Sequence, residues 1–167
     1  MKRIFIICVL SIASLKSNGQ SAESYSKNGI SKAIKGDYNG ALSDFTKAIE
    51  LNPKYADAYY NRGIAKDELE DCIGAIADYT IAIELNPKYI NAYFNRGNAK
   101  SRLQDYRGSI ADFTIAIKLK PMYAEAYLNR GSFKFTLKDK NGACLDWSKA
   151  SELGDSDAYD LIKKYCN

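Results

Sequence analysis

The sequence predicts an all-α fold: four helical hairpins in tandem, closed by one further helix. Three observations predict it. Four 34-residue blocks, 22–55, 56–89, 90–123 and 124–157, align without a gap, and the middle two agree at 20 of 34 positions. Within each block, small and aromatic residues recur at helical spacing. All three prolines fall at one block position, as Pro53, Pro87 and Pro121. A fixed period of this length marks a stacked array of hairpins, each burying its apolar face against its neighbours.

Numbering each block from 1 to 34, the first helix carries Tyr25, Tyr59, Tyr93 and Tyr127 at position 4, and Gly29, Gly63, Gly97 and Gly131 at position 8. The second helix carries Ala41, Ala75, Ser109 and Ala143 at position 20. On the same face stand Phe45, Tyr79, Phe113 and Trp147 at position 24, and Ala48, Ala82, Ala116 and Ala150 at position 27. Small residues at 8, 20 and 27 let the two helices approach, and the rings at 4 and 24 fill the space around them. Asp37, Asp71, Asp105 and Asp139 at position 16 are N-caps for the second helix. Proline at position 32 stops that helix, because it lacks an N–H and clashes with the preceding turn. After Gly154, the residues Ala158, Leu161, Ile162 and Tyr165 fall at i, i+3, i+4 and i+7, with Asp160, Lys163 and Lys164 on the other side. This predicts an amphipathic closing helix over 158–166, which a repeat array needs at its end.

This set of residues resembles the tetratricopeptide repeat family, and the resemblance covers residues 22–157. It implies a right-handed superhelical solenoid whose first helices line a concave groove. It also implies a non-catalytic adaptor or scaffold that binds a protein or an extended peptide segment. The other reading is a purely structural or self-associating module of an envelope assembly. A binder is expected to be a monomer.

The chain departs from the family where Leu is usual at position 7 and an aromatic at position 11. Position 7 is Asn28, Arg62, Arg96 and Arg130; position 11 is Lys32, Lys66, Lys100 and Lys134. These are i, i+4 neighbours on one helix face. Position 23 of the second helix is Asp44, Asp78, Asp112 and Asp146. An acid facing two bases in every hairpin reads as a repeated structural ion-pair network. The competing reading is a basic row that holds an anionic ligand.

The family's groove is built from positions 2, 5, 6, 9, 12 and 13. Here position 5 gives Tyr60, Phe94 and Leu128, and position 6 gives Asn61, Asn95 and Asn129. An amide both donates and accepts, so a row of three resembles the asparagine ladders that hold peptide backbones in some members. The same asparagines are common in the repeat and equally read as serving the fold. Position 2 is Glu23, Asp57, Asn91 and Glu125, which speaks against a basic clamp for a partner's free carboxylate.

Lys2 and Arg3, a short apolar run from Ile4 to Ala13, and the small residues Ser17 and Gly19 have the layout of a secretory signal peptide over 1–19, cut before Gln20. The run is well short of the roughly 18 apolar residues that span a bilayer, so no stable membrane insertion is expected. The chain has 24 Lys and Arg against 20 Asp and Glu. Lys2, Arg3 and Lys16 leave with the signal, so 24 − 3 = 21 bases face 20 acids. That near balance gives no support to nucleic-acid binding. The expected location is periplasmic or extracellular.

Export permits disulfides. Cys144 precedes Gly154 by ten residues and Cys166 follows it by twelve. An antiparallel return of the closing helix therefore brings them to similar height and predicts a bridge. Cys72 takes a packing position and reads as a buried, inert thiol. The chain has no His, which removes the commonest general base and metal ligand. No triad, metal cluster or phosphate loop stands out. The expectation is no enzyme, no metal and no cofactor.

Overall fold

The computed structural model describes residues 20–166. The signal-peptide reading of 1–19 lies outside the described residues. Within them the chain forms nine α-helices and no strand. They pair as hairpins: α1 (Ala22–Ile34) with α2 (Tyr38–Leu51), α3 (Ala56–Glu68) with α4 (Cys72–Leu85), α5 (Ile90–Arg102) with α6 (Tyr106–Leu119), and α7 (Ala124–Thr136) with α8 (Lys140–Glu152). A single helix, α9 (Ser156–Tyr165), follows. Each helix packs on the next, so the molecule is an all-α solenoid with a closing helix.

The local chemistry sets each helix boundary. Asp37, Asp71, Asp105 and Asp139 each accept a hydrogen bond at 2.9 Å from the N–H three residues on, capping α2, α4, α6 and α8. The first helices close in a tight turn with a left-handed residue: Gly36 (φ 80°), Glu70 (63°), Gln104 (62°) and Lys138 (70°). The N–H that follows returns to the carbonyl of the position-11 lysine, as from Asp71 to Lys66 at 2.9 Å. Only the first block uses glycine there; the other three hold an ordinary side chain in a conformation that costs roughly 1 kcal/mol.

The core is a column of close helix approaches. The alanines at position 27 are fully buried, as are Phe45, Tyr79, Phe113 and Trp147 at position 24. Glycine at position 8 is what admits those rings: a Cβ built on Gly63 would stand 2.7 Å from the Tyr79 ring. Ala58, Ala92 and Ala126 at position 3 pack against the preceding hairpin and are fully buried. Block 1 has Ser24 there, with Asn28 and Ser31 at positions 7 and 10. The side of α1 on which no helix packs among the described residues is therefore polar.

At the other end α9 begins at Ser156, two residues before the 158–166 expected from the sequence. Asp155 takes the capping role and accepts from the Ala158 N–H at 3.0 Å. Ala158 is fully buried and repeats the part of the position-3 alanines. The α9 helix thus packs on α8 as the first helix of a hairpin packs on the hairpin before it. Tyr165 packs on Phe135 and Trp147, with ring centroids 4.7 and 6.1 Å apart. The Cys144 and Cys166 sulfurs are bonded, with Cα atoms 5.8 Å apart. Cys72, the first residue of α4, is partly exposed, contrary to the buried thiol that its position suggests; at a helix N-terminus it has packing on one side only.

Candidate functional site

Two sets of side chains recur in register along the solenoid, one inside the hairpins and one along the first helices.

The inner set is built on a buried aspartate. Asp78, Asp112 and Asp146 are each at most 4% exposed. Each receives a forked guanidinium from its own first helix. Arg62 Nε and Nη2 reach Asp78 at 2.9 and 2.8 Å, Arg96 reaches Asp112 at 2.9 and 2.7 Å, and Arg130 reaches Asp146 at 2.9 and 2.6 Å. Lys66, Lys100 and Lys134 add an ammonium at 2.8, 2.8 and 2.7 Å. The hydrogen bond to Asp78 holds the Arg62 pKa above its ordinary value. A bidentate, largely desolvated pair of this kind is stronger than a surface pair.

Each arginine does two further things that its sequence position did not reveal. Its ring partner is the tyrosine at position 4, with guanidinium carbons 5.5, 5.7 and 5.5 Å from the centroids of Tyr59, Tyr93 and Tyr127. Its remaining nitrogen, Nη1, donates to a threonine of the preceding hairpin: Thr46 at 3.3 Å, Thr80 at 3.0 Å and Thr114 at 3.1 Å. The threonine at position 25 carried no signal alone; its recurrence one block before each arginine was the available clue. With aspartate, tyrosine and threonine all engaged, the arginine row is spent inside the fold and leaves little for an outside anion.

The outer set is the wall of first helices. Tyr60 packs on Tyr89 with centroids 4.7 Å apart, and Phe94 stacks on Tyr123 at 4.8 Å. Phe94 is only 6% exposed, so most of its ring belongs to the core; Tyr60 and Leu128 are half-buried. Asn95 Nδ2 donates to the Tyr60 hydroxyl at 3.1 Å, and Asn129 Nδ2 to Asn98 Oδ1 at 3.3 Å. Both bonds join neighbouring hairpins. Asn61 is half-buried and makes no side-chain hydrogen bond among the described residues. Burial raises the pKa of Tyr60, Tyr79 and Tyr89, and pushes Tyr123 up to about 12. For Tyr89 a hydrogen bond to Asp57 at 2.8 Å acts in the same direction. These phenols stay neutral at physiological pH: Tyr89 donates to Asp57, Tyr60 accepts from Asn95, and Tyr79 is fully buried in the core with its hydroxyl unpaired among the described residues.

Among the described residues no group of His, Cys, Asp or Glu is arranged to hold a metal ion, and no helix is long and apolar enough to cross a membrane.

Residues 31–69 match a family model described as TPR repeat, and residues 94–151 match one described as Tetratricopeptide repeat. Among solved structures, the fold is similar to a crystal structure of MamA, at 26% identity over 83% of this chain and 81% of that one, with a TM-score of 0.78. It is similar to the first TPR of Spaghetti (RPAP3) bound to the HSP90 peptide SRMEEVD, at 26% identity over 74% and 98%, with a TM-score of 0.70. It is also similar to the Arabidopsis OM64 TPR domain, at 30% identity over 70% and 96%, with a TM-score of 0.68. The search of curated protein sequences found no match.

Proposed function

The chain belongs to the tetratricopeptide repeat family, and from that premise we propose that it is a non-catalytic scaffold holding an extended segment of a partner protein along its first helices. The observation that carries this reading is the wall itself. Tyr60 and Leu128 offer part of their apolar surface, and the Asn61 amide beside Tyr60 makes no hydrogen bond among the described residues. An amide with a free donor and acceptor pairs with a peptide bond of any sequence, and half-buried apolar groups beside it take alternate side chains. One of the similar structures is a TPR bound to a peptide, which supports the mode of binding. The peptide class differs: the acids Glu23, Asp57 and Glu125 along this wall oppose an acidic peptide end.

The second reading is a structural or self-associating module. It is favoured by Asn95 and Asn129, whose amides already bridge neighbouring hairpins. A photo-crosslinking residue placed at 61 or 128, against controls at the exposed positions 73 and 145 of the second helices, separates the two. The binder gives adducts to another protein from 61 and 128 only. Adducts to a second copy of the chain, or adducts from 73 and 145 alone, contradict it.

We place the protein outside the cytoplasm, on Lys2, Arg3, the apolar run and the small residues before Gln20. An N-terminus at Gln20 in protein isolated from its native host supports this. A chain that retains Met1 opposes it.

A further inference from the structure

The three inner hairpins each close their buried aspartate with a guanidinium. The first hairpin does not, because Asn28 stands where Arg62, Arg96 and Arg130 stand. Its aspartate is nevertheless retained and buried: Asp44 is 6% exposed. Lys32 Nζ lies 2.6 Å from Oδ2, yet that oxygen, shut off from solvent, receives no well-aligned hydrogen bond. Oδ1 takes the guanidinium at 2.8, 2.7 and 2.6 Å in the other hairpins. In Asp44 it has no donor among the described residues.

A cleft of about 450 Å³ opens at this place, lined by Gln20, Tyr25, Asn28, Lys35, Asp44 and Lys47 among others. Tyr25 holds the position whose rings face the guanidinium in the inner hairpins, and here the ammonium of Lys47 lies 5.4 Å from its centroid. The first hairpin thus keeps the parts of the arginine pocket that a hairpin's own two helices supply, except the arginine: the carboxylate, the lysine at position 11 and the aromatic ring. The threonine that the preceding hairpin lends to Arg62, Arg96 and Arg130 has no counterpart among the described residues. A terminal hairpin with no use for the pocket has reason to lose the aspartate too, since a buried carboxylate short of partners is destabilising.

We propose that this cleft binds arginine from outside the fold, with the guanidinium forked on Asp44 as Arg62 is on Asp78. Lys32, Lys35 and Lys47 line the same cleft and oppose a bare cation. They select a guanidinium that brings a carboxylate with it. That chemistry is met by the free amino acid or by the C-terminal arginine of a peptide chain.

The test is an NMR titration of the protein, following the amides of residues 25–47. The probes are L-arginine, the tripeptide Ala-Ala-Arg, L-argininamide and L-citrulline. Saturable shifts with L-arginine or the tripeptide, at least tenfold weaker binding of argininamide and none of citrulline are expected. Tighter binding of the tripeptide identifies a chain end as the source, and tighter binding of L-arginine the free amino acid. Asn28→Arg supplies the missing group from within. It should keep or raise the melting temperature and weaken arginine binding at least tenfold. Asp44→Asn is the second variant, expected to lose binding while it retains helicity. No shifts with either arginine probe, equal binding of citrulline or argininamide, or undiminished binding by folded Asn28→Arg overturns the proposal.

Discussion

Arg96 and Thr80 lie on opposite sides of a repeat boundary, and Arg96 Nη1 donates to Thr80 Oγ1 at 3.0 Å. The same guanidinium is forked on Asp112 within its own hairpin. One side chain therefore ties helix to helix inside a hairpin and hairpin to hairpin along the array. In a solenoid, stability is close to a sum of unit terms and interface terms. The Thr80 bond belongs to the interface and the Asp112 bonds to the unit.

Two substitutions separate those contributions. Thr80→Val keeps the shape and removes the acceptor, leaving a partly buried donor unpaired, at about 1–3 kcal/mol. In an Arg96→Lys background that cost should largely vanish, because the donor is gone; a double-mutant cycle by urea unfolding measures the coupling. Asp112→Ala strands both Arg96 and Lys100 and should cost about 3–5 kcal/mol. Equal small losses for all of these changes contradict the network.

The glycines at position 8 make a graded prediction. Alanine gains about 1 kcal/mol over glycine in a helix interior. A new Cβ at Gly63 would meet the fully buried Tyr79 ring at 2.7 Å, whereas at Gly97 it would meet Phe113 at 3.1 Å. Overpacking costs about 1–3 kcal/mol, so it should win at the tighter site. Gly63→Ala is expected to lower the melting temperature clearly, and Gly97→Ala to leave it nearly unchanged. The reverse order contradicts the packing described.

The closing helix is pinned by Cys144–Cys166, a bridge between residues 22 apart in sequence. Loop closure of that size is worth roughly 3 kcal/mol in the chain-entropy model. Within residues 20–166, unfolding without reductant should expose Cys72 alone to a thiol reagent. Reduction should reduce amide protection in α9 first and leave α3 to α6 unchanged. Labelling of all three thiols before reduction contradicts the bridge.

Alkaline conditions test the phenols along the wall. A tyrosine titrates near pH 10 when unfolded, and burial pushes Tyr123 up to about 12. The folded chain holds that proton more tightly, so the unfolded state has fewer protons between these values. Stability should fall as pH rises from about 10 and level off once the folded group has also titrated. Tyr123→Phe should flatten part of that fall, and Tyr60, Tyr79 and Tyr89, shifted in the same direction, account for the remainder. An unchanged pH profile in the variant opposes the assignment.

The fold was legible because its constraints are local and repeated. Pro53, Pro87 and Pro121, the capping aspartates and the small residues facing each ring recur at one spacing, and each has one physical meaning. The start of α9 was misplaced by two residues because Asp155 took the cap in a shortened turn that the repeat did not teach. The left-handed Glu70, Gln104 and Lys138 carry no composition signal, since the turn imposes a conformation that their side chains do not favour. In the wall, sequence spacing aligned Asn61, Asn95 and Asn129 but could not show that two amides are engaged, because their partners, Tyr60 and Asn98, lie on the neighbouring hairpin. For the same reason Phe94 read as a wall residue although Tyr123 covers it.

The central claim is that the wall of first helices holds a partner segment, and one binding isotherm tests it most directly. The segment crosslinked at position 61 or 128 is made as a synthetic peptide and titrated against the protein and against Asn61→Ala combined with Leu128→Ser. Asn61 makes no side-chain hydrogen bond among the described residues, whereas Leu128 also packs against the Trp147 cluster. Helicity should therefore hold while the melting temperature falls modestly, and the isotherm is read well below it. Loss of one backbone hydrogen bond, about 0.5–1.5 kcal/mol, and of one apolar contact should together weaken binding at least tenfold. A folded double variant that binds the peptide undiminished contradicts the account and moves the binding surface off the first helices.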